Sequence, residues 1–144
     1  MKTNMATTIL ATSAIILTTA IQGFTMDSLS NYDWKNRVLI LFGDAGDPKM
    51  VQQVELLRKQ TDGLTDRDMV VLQVSGASVR AVYGSGSPID AARLKREANI
   101  DGDGFQAVLV GKDGGIKLRS DKVVSDVEMF DLIDRMPMRR AGQS

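Results

Sequence analysis

The stretch RVLILFGDAGDPKM, residues 37–50, decides how this chain folds. Val38 to Phe42 is an unbroken apolar run closed by Arg37 on one side and Gly43 on the other. A run of that length suits a strand buried on both faces, as in a parallel sheet covered by helices. Four residues later Asp47 and Pro48 form an N-cap and first-turn pair, because an aspartate accepts orphan amides and proline has no amide to lose. Met50, Val54 and Leu57 then recur at helical spacing, so a helix is expected over residues 49–60. A buried strand feeding a capped helix is the first half of a β-α-β crossover.

Outward from that unit the pattern continues. Residues 27–36 read as a polar lead-in containing Tyr32 and Trp34, and TDGLTDRD (61–68) as a turn-rich link. MVVLQV (69–74) reads as a second buried strand, and residues 75–87 as a flexible loop. A second helix is expected over 88–99, with Ser87 as N-cap, Pro88 at the first position and Ala91, Leu94 and Ala98 on one face. DGDGF leads into AVLV, a third strand; GKDGG is a hairpin turn and IKLRS the returning strand. Ser125 and Glu128 have capping-box spacing, Val127, Phe130, Ile133 and Met136 form the expected inward stripe of a last helix, and Pro137 ends it. The expected class is α/β, with a four-stranded mixed sheet, helices on both faces and the order β-α-β-α-β-β-α.

Composition narrows the chemistry. The chain has 144 residues, enough for one ordinary domain. Lys plus Arg (18) equals Asp plus Glu (18), and only seven residues are aromatic, so no cationic stripe points to nucleic acid. There is no cysteine, which excludes dithiol exchange, thiol nucleophiles and cysteine metal sites. There is no histidine, which removes the usual general base and the commonest metal ligand.

After Lys2 no charge occurs before Asp27, and ATTILATSAIILTTAIQG is apolar with small residues near Ala20. A short positive start, an apolar middle and small residues at the end describe a secretory signal peptide over residues 1–23, cut after Ala20 or Gly23. The same stretch just reaches the span of an uncleaved anchor, about 20 residues. An extracytoplasmic location, periplasmic or secreted, is expected, with membrane contact only through this segment if it is retained.

Several motifs invite functional readings. Asp44 and Asp47 flank the strand-to-helix turn and could serve as a carboxylate pair or a cation site. Asp101-Gly102-Asp103-Gly104 suggests calcium, but the twelfth position of such a loop is Lys112 where glutamate is needed. YGSGSP lacks the Lys-Ser/Thr ending of a phosphate loop. Lys112, Lys117, Arg119, Arg139 and Arg140 could gather at the hairpin and C-terminus into a patch for an acidic partner. No residue is assigned as catalytic, cofactor-binding or metal-ligating.

The element order is that of the thioredoxin fold, and Ala45-Gly46-Asp47-Pro48-Lys49-Met50 resembles the Cys-Gly-Pro-Cys-Lys-Met turn of thioredoxins, with Ala45 and Pro48 at the two cysteine positions. The cis-proline that precedes a thioredoxin's third strand has no counterpart, since Phe105-Gln106 stand there. Trp34 before RVLILF, the hairpin GKDGGIKLRS and the ending LIDRMPMRR resemble a family of secreted, thioredoxin-like domains of unknown function. Single-domain bacterial members of that family exist, and related modules occur in animal extracellular proteins with sushi repeats. The resemblance covers about residues 28–140, leaving 141–144 as an exposed tail. It implies a thioredoxin-like shape outside the cytoplasm and carries no activity with it. The expectation is a non-catalytic domain that binds a protein or an envelope or extracellular polymer, without nucleic acid. The alternatives are an enzyme using carboxylates or a bound cofactor near Asp44 and Asp47, and a folding or assembly helper for exported proteins.

Overall fold

A computed structural model describes residues 25–142. The signal or anchor segment read at residues 1–23 lies outside them. Five strands form one mixed sheet in the order β3-β2-β1-β4-β5. Strand β1 (Arg37–Phe42) is central and buried at all six positions. It pairs in parallel with β2 (Met69–Ser75) and antiparallel with β4 (Gln106–Val110). The two edges are β3 (Ser78–Tyr83), returning on β2, and β5 (Ile116–Ser120), returning on β4.

Alternation along β1 sends its side chains into two cores. Val38, Ile40 and Phe42 pack with Leu29 and Tyr32 of a 3₁₀ turn (Asp27–Tyr32) and with helix α3 (Ala91–Glu97). Leu39 and Leu41 pack with α1 (Pro48–Arg58), α2 (Thr61–Asp66) and α4 (Asp126–Asp134) on the opposite face. A last short helix, α5 (Pro137–Ala141), follows α4. Among the described residues no helix is long and apolar enough to cross a membrane.

The sheet has five strands and not four, because residues 78–83 pair with β2 through a two-residue turn at Gly76-Ala77. Gly76 adopts φ +58°, the left-handed conformation such hairpin turns need. This strand hides in the sequence because it is an edge, exposed or half-buried throughout, and Ser-Val-Arg-Ala-Val-Tyr lacks a continuous apolar run. The link TDGLTDRD folds as α2, anchored by fully buried Leu64. Helix α3 starts three residues later than its proline suggests: Asp90, not Ser87, is the N-cap, accepting from the amides of Ala92 (2.8 Å) and Arg93 (3.2 Å). On α4 the inward stripe is Met129, Phe130 and Ile133, while Val127 is 63% exposed. Helix α4 ends at Asp134, so Met136 of the expected stripe lies beyond it as the N-cap of α5, and Pro137 opens α5 and does not close α4. The lead-in is only superficially polar, since Leu29 and Tyr32 are buried, as is Met26 just before it.

Candidate functional site

Strand β1 has a chemically distinct site at each end. Its C-terminal end is the turn that opens α1. There Asp44 Oδ1 accepts the Gly46 amide at 3.2 Å, and Asp47 Oδ1 accepts the Lys49 amide at 2.8 Å. Pro48 occupies the first helical position, and Ala45 is exposed in the turn. The amides that a reactive group at this helix start would use are thus partly engaged by the chain itself. A cavity of about 510 Å³ opens beside the turn, between Asp44, Ser75, Lys95 and Asp103. Asp47 is not part of its wall, so the two aspartates do not converge on it. Among the described residues no group of three or more carboxylates could hold a metal ion.

At the opposite end, where β1 begins, lies a second cavity of about 520 Å³. The strand's length separates the two by about 17 Å. Trp34, Arg37, Lys112 and Lys117 line one side, and Met136, Pro137 and Met138 the other. Trp34, the only tryptophan in the chain, is 69% exposed, although large aromatic side chains usually bury most of their surface. Its backbone is at φ +64°, a left-handed conformation that costs a residue with a Cβ about 1–2 kcal/mol. The Trp34 amide donates to the Lys112 carbonyl at 2.7 Å, which holds its backbone beside the β4–β5 hairpin.

Arg37 is the deepest charge in this wall. It is 2% exposed, yet among the described residues its guanidinium makes a single hydrogen bond, from Nη1 to the Arg67 carbonyl at 3.0 Å. Its buried Nε has no partner, and no carboxylate lies within ion-pair distance. Burial lowers its pKa; Asp68 acts in the other direction through space and Arg139 adds to the lowering. Buried guanidinium groups are ordinarily paired, so this one is underserved.

The basic residues singled out in the sequence occupy three places. Lys112 and Lys117 are on the cavity wall, paired with Asp68 at 2.8 Å and Asp113 at 2.9 Å. Burial pushes the Asp113 carboxyl up, but hydrogen bonds from Lys117 and the Gly115 amide outweigh it and hold the group below its ordinary range. Arg119 is on the α3 side, donating to the Ala98 carbonyl. It parts from Lys117 because β5 carries a bulge: Ile116 opposes Val110 and Leu118 opposes Leu109, leaving Lys117 as the extra residue. Arg139 joins a clamp between helices, bonding Asp66 and lying 3.4 Å from Asp134. Arg67 completes that clamp with two hydrogen bonds to Asp134, at 3.0 and 2.8 Å, and stacks on the Phe130 ring at 4.1 Å. These bonds hold the Asp134 carboxyl below its usual pKa, chiefly through Arg67. Arg140 is exposed on α5. The five residues therefore do not form one patch; the clamp instead holds the start of α5 as a wall of the cavity.

A family model matches residues 28–142, most of the chain and nearly all of the described domain. The chain belongs to this family. It is described as a domain of unknown function, DUF4174. No curated protein matches the chain, and no solved structure does.

Within this DUF4174 domain, sequence reading missed Arg37 and the methionines of the cavity. Arg37 looks like the polar boundary of a strand, and its burial depends on the hairpin and α5 folding over it. Met136 reads as the last position of a helix stripe, and Met138 as a residue beyond the proline that ends it. The one available signal was Trp34, a large aromatic in a polar turn with no helical or strand periodicity to bury it.

Proposed function

We propose that this DUF4174 domain is an exported, non-catalytic binding module of thioredoxin-like shape, which holds a group presented by a protein or an envelope polymer in the cavity at the start of β1. The cavity itself carries the reading: an exposed tryptophan in a strained backbone conformation, a buried and unpaired guanidinium, and two methionines around about 520 Å³. Backbone strain in an exposed large side chain is retained where the side chain has work beyond packing. A concave, mainly apolar site with a few convergent polar groups is the usual form of a ligand site.

The thioredoxin-like reading is supported by the parallel β1–β2 pair, the antiparallel β4–β5 hairpin beside it and the helix opening directly after β1. Strand β3 is then an addition at the β2 edge. The equivalent of the redox turn holds Ala45 and Pro48, without sulfur. Export is supported by the apolar segment before Asp27.

Site-specific photo-cross-linking tests the reading in cells. A photoreactive phenylalanine replaces Trp34 in one variant and Ala45 in another, in the full chain carrying a C-terminal alkaline phosphatase. Phosphatase activity is expected, reporting export, and discrete adducts are expected from position 34. Adducts from position 45 alone would move the site to the degenerate redox turn, and an inactive phosphatase would refute export. Purified protein is expected to show no turnover in insulin reduction or peroxide consumption.

A further inference from the structure

We propose that the Trp34 cavity is a receptor for an organic anion, with an apolar or aromatic body against Trp34, Met136 and Met138 and its anionic head on the Arg37 guanidinium. This rests on the cavity being the binding site and adds the chemistry of what it holds.

The charge balance of the wall comes first. Four cationic side chains, Arg37, Lys112, Lys117 and Arg135, face one carboxylate, Asp113. Lys117 is matched by Asp113, and Lys112 by Asp68 just outside. Arg135 spends its Nε on the Asp131 carbonyl of its own helix, at 3.1 Å. Among the described residues no carboxylate lies within ion-pair distance of Arg37; through space Asp68 and Asp134 favour its charge and Arg139 and Arg67 offset this only in part, but Asp68 is already bonded to Lys112. A guanidinium keeps its proton at any accessible pH, so this charge is not relieved by neutralisation. A buried charge with no contacting counter-charge is costly to a fold. A carboxylate, sulfonate or phosphate in the cavity would bring a counter-charge to the exposed edge of the guanidinium.

The rest of the wall selects the body attached to that head. Trp34 offers a large aromatic surface on a backbone pinned to Lys112, and methionines adapt to irregular apolar shapes. A small hydrophilic anion would leave these surfaces uncovered. A neutral apolar compound would leave Arg37 uncompensated. The complementary ligand has both parts.

Two dyes with the same aromatic body separate these contributions: 1-anilinonaphthalene-8-sulfonate, and N-phenyl-1-naphthylamine, which lacks the sulfonate. Each is titrated into the full chain, with Trp34 as the single energy-transfer donor. The sulfonate is expected to bind one site per chain and about tenfold more tightly than the neutral dye, a difference of about 1.4 kcal/mol. Raising salt from low to physiological strength should narrow the gap only partly, because a buried pair is weakly screened. R37M should bring the sulfonate to within about twofold of the neutral dye and leave the neutral dye unchanged. If R37M does not fold, the wild-type comparison decides alone, and R135Q, an exposed change, should keep most of the preference. Equal affinity of both dyes for the wild type would overturn the anion assignment while leaving the cavity as the site. Failure of both dyes to draw energy from Trp34 would remove the cavity reading as well.

Discussion

Replacing Trp34 by glycine should affect stability much less than removing a tryptophan normally does, and glycine should be better tolerated than alanine. Two terms oppose each other. Trp34 is 69% exposed, so about a third of its surface, some 75 Å², leaves water on folding; at 25 cal/mol per Å² its loss costs about 2 kcal/mol. The backbone at φ +64° is strained for any residue with a Cβ, and glycine relieves about 1 kcal/mol or slightly more. The Trp34 amide bond to the Lys112 carbonyl survives in both variants. Trp34→Ala should therefore lose about 2 kcal/mol, and Trp34→Gly about 1 kcal/mol. At an unstrained site the order reverses, with glycine worse than alanine by about 0.5–1 kcal/mol. Urea unfolding followed by far-ultraviolet circular dichroism measures both, since the fluorescent reporter is absent from the variants. A gap of this size corresponds to about 4 °C in Tm for a domain of this length. If alanine proves the more stable substitution, or if glycine costs more than about 3 kcal/mol as a buried tryptophan would, the strained-and-exposed account of Trp34 is wrong.

Three further outcomes follow from contacts on the α1, α2 and α4 side of the sheet. Gln53 is fully buried on α1 and bonds both backbone groups of Val124, accepting the amide at 2.7 Å and donating to the carbonyl at 3.0 Å; Gln53→Met should lose about 2–5 kcal/mol in chemical denaturation, because both groups are left dry and unpaired. A loss under about 1 kcal/mol would show that water reaches them. Gly63→Ala on α2 should destabilise by about 1 kcal/mol despite alanine's helix preference, because a Cβ there would lie 2.6 Å from the Phe130 ring, and the ring must shift; a higher Tm than wild type would mean the ring moves freely. Asp134→Asn should cost about 1 kcal/mol at neutral pH by weakening the clamp on α5. Because the folded-state pKa of Asp134 is depressed, its contribution is present above its unfolded pKa of about 3.9 and is lost as pH falls through the folded value. The wild type should lose this increment in acid and the asparagine variant should not, as read by melts from pH 6 downward.

The central unit was legible because its signals are local. Val38 to Phe42 could only be a strand buried on both faces, and Asp47-Pro48 could only start a helix well; both hold. Edge elements were not legible, since an edge strand such as Ser78–Tyr83 needs half the apolar content and borrows its order from pairing with β2. Nor was the stripe of α4, where Val127 and Met129 lie two residues apart and packing against the rest of the core decides which turns inward. At the candidate site, Lys112 and Lys117 were found as cations, but their division from Arg119 depends on a single bulge, and a bulge is a property of two paired strands.

Taken alone, the sequence determined the chemistry this domain lacks and the α/β core that holds it together, because absent side chains and periodic apolar runs act wherever the chain goes. Only the tertiary structure decided that Arg37 is buried without a contacting carboxylate and that Trp34 is left in the open. Those facts arise where the start of β1, the β4–β5 hairpin and α5 meet, from segments about a hundred residues apart in the chain. Burial of a charge is set by what folds over it, and no stretch of the chain carries that information by itself.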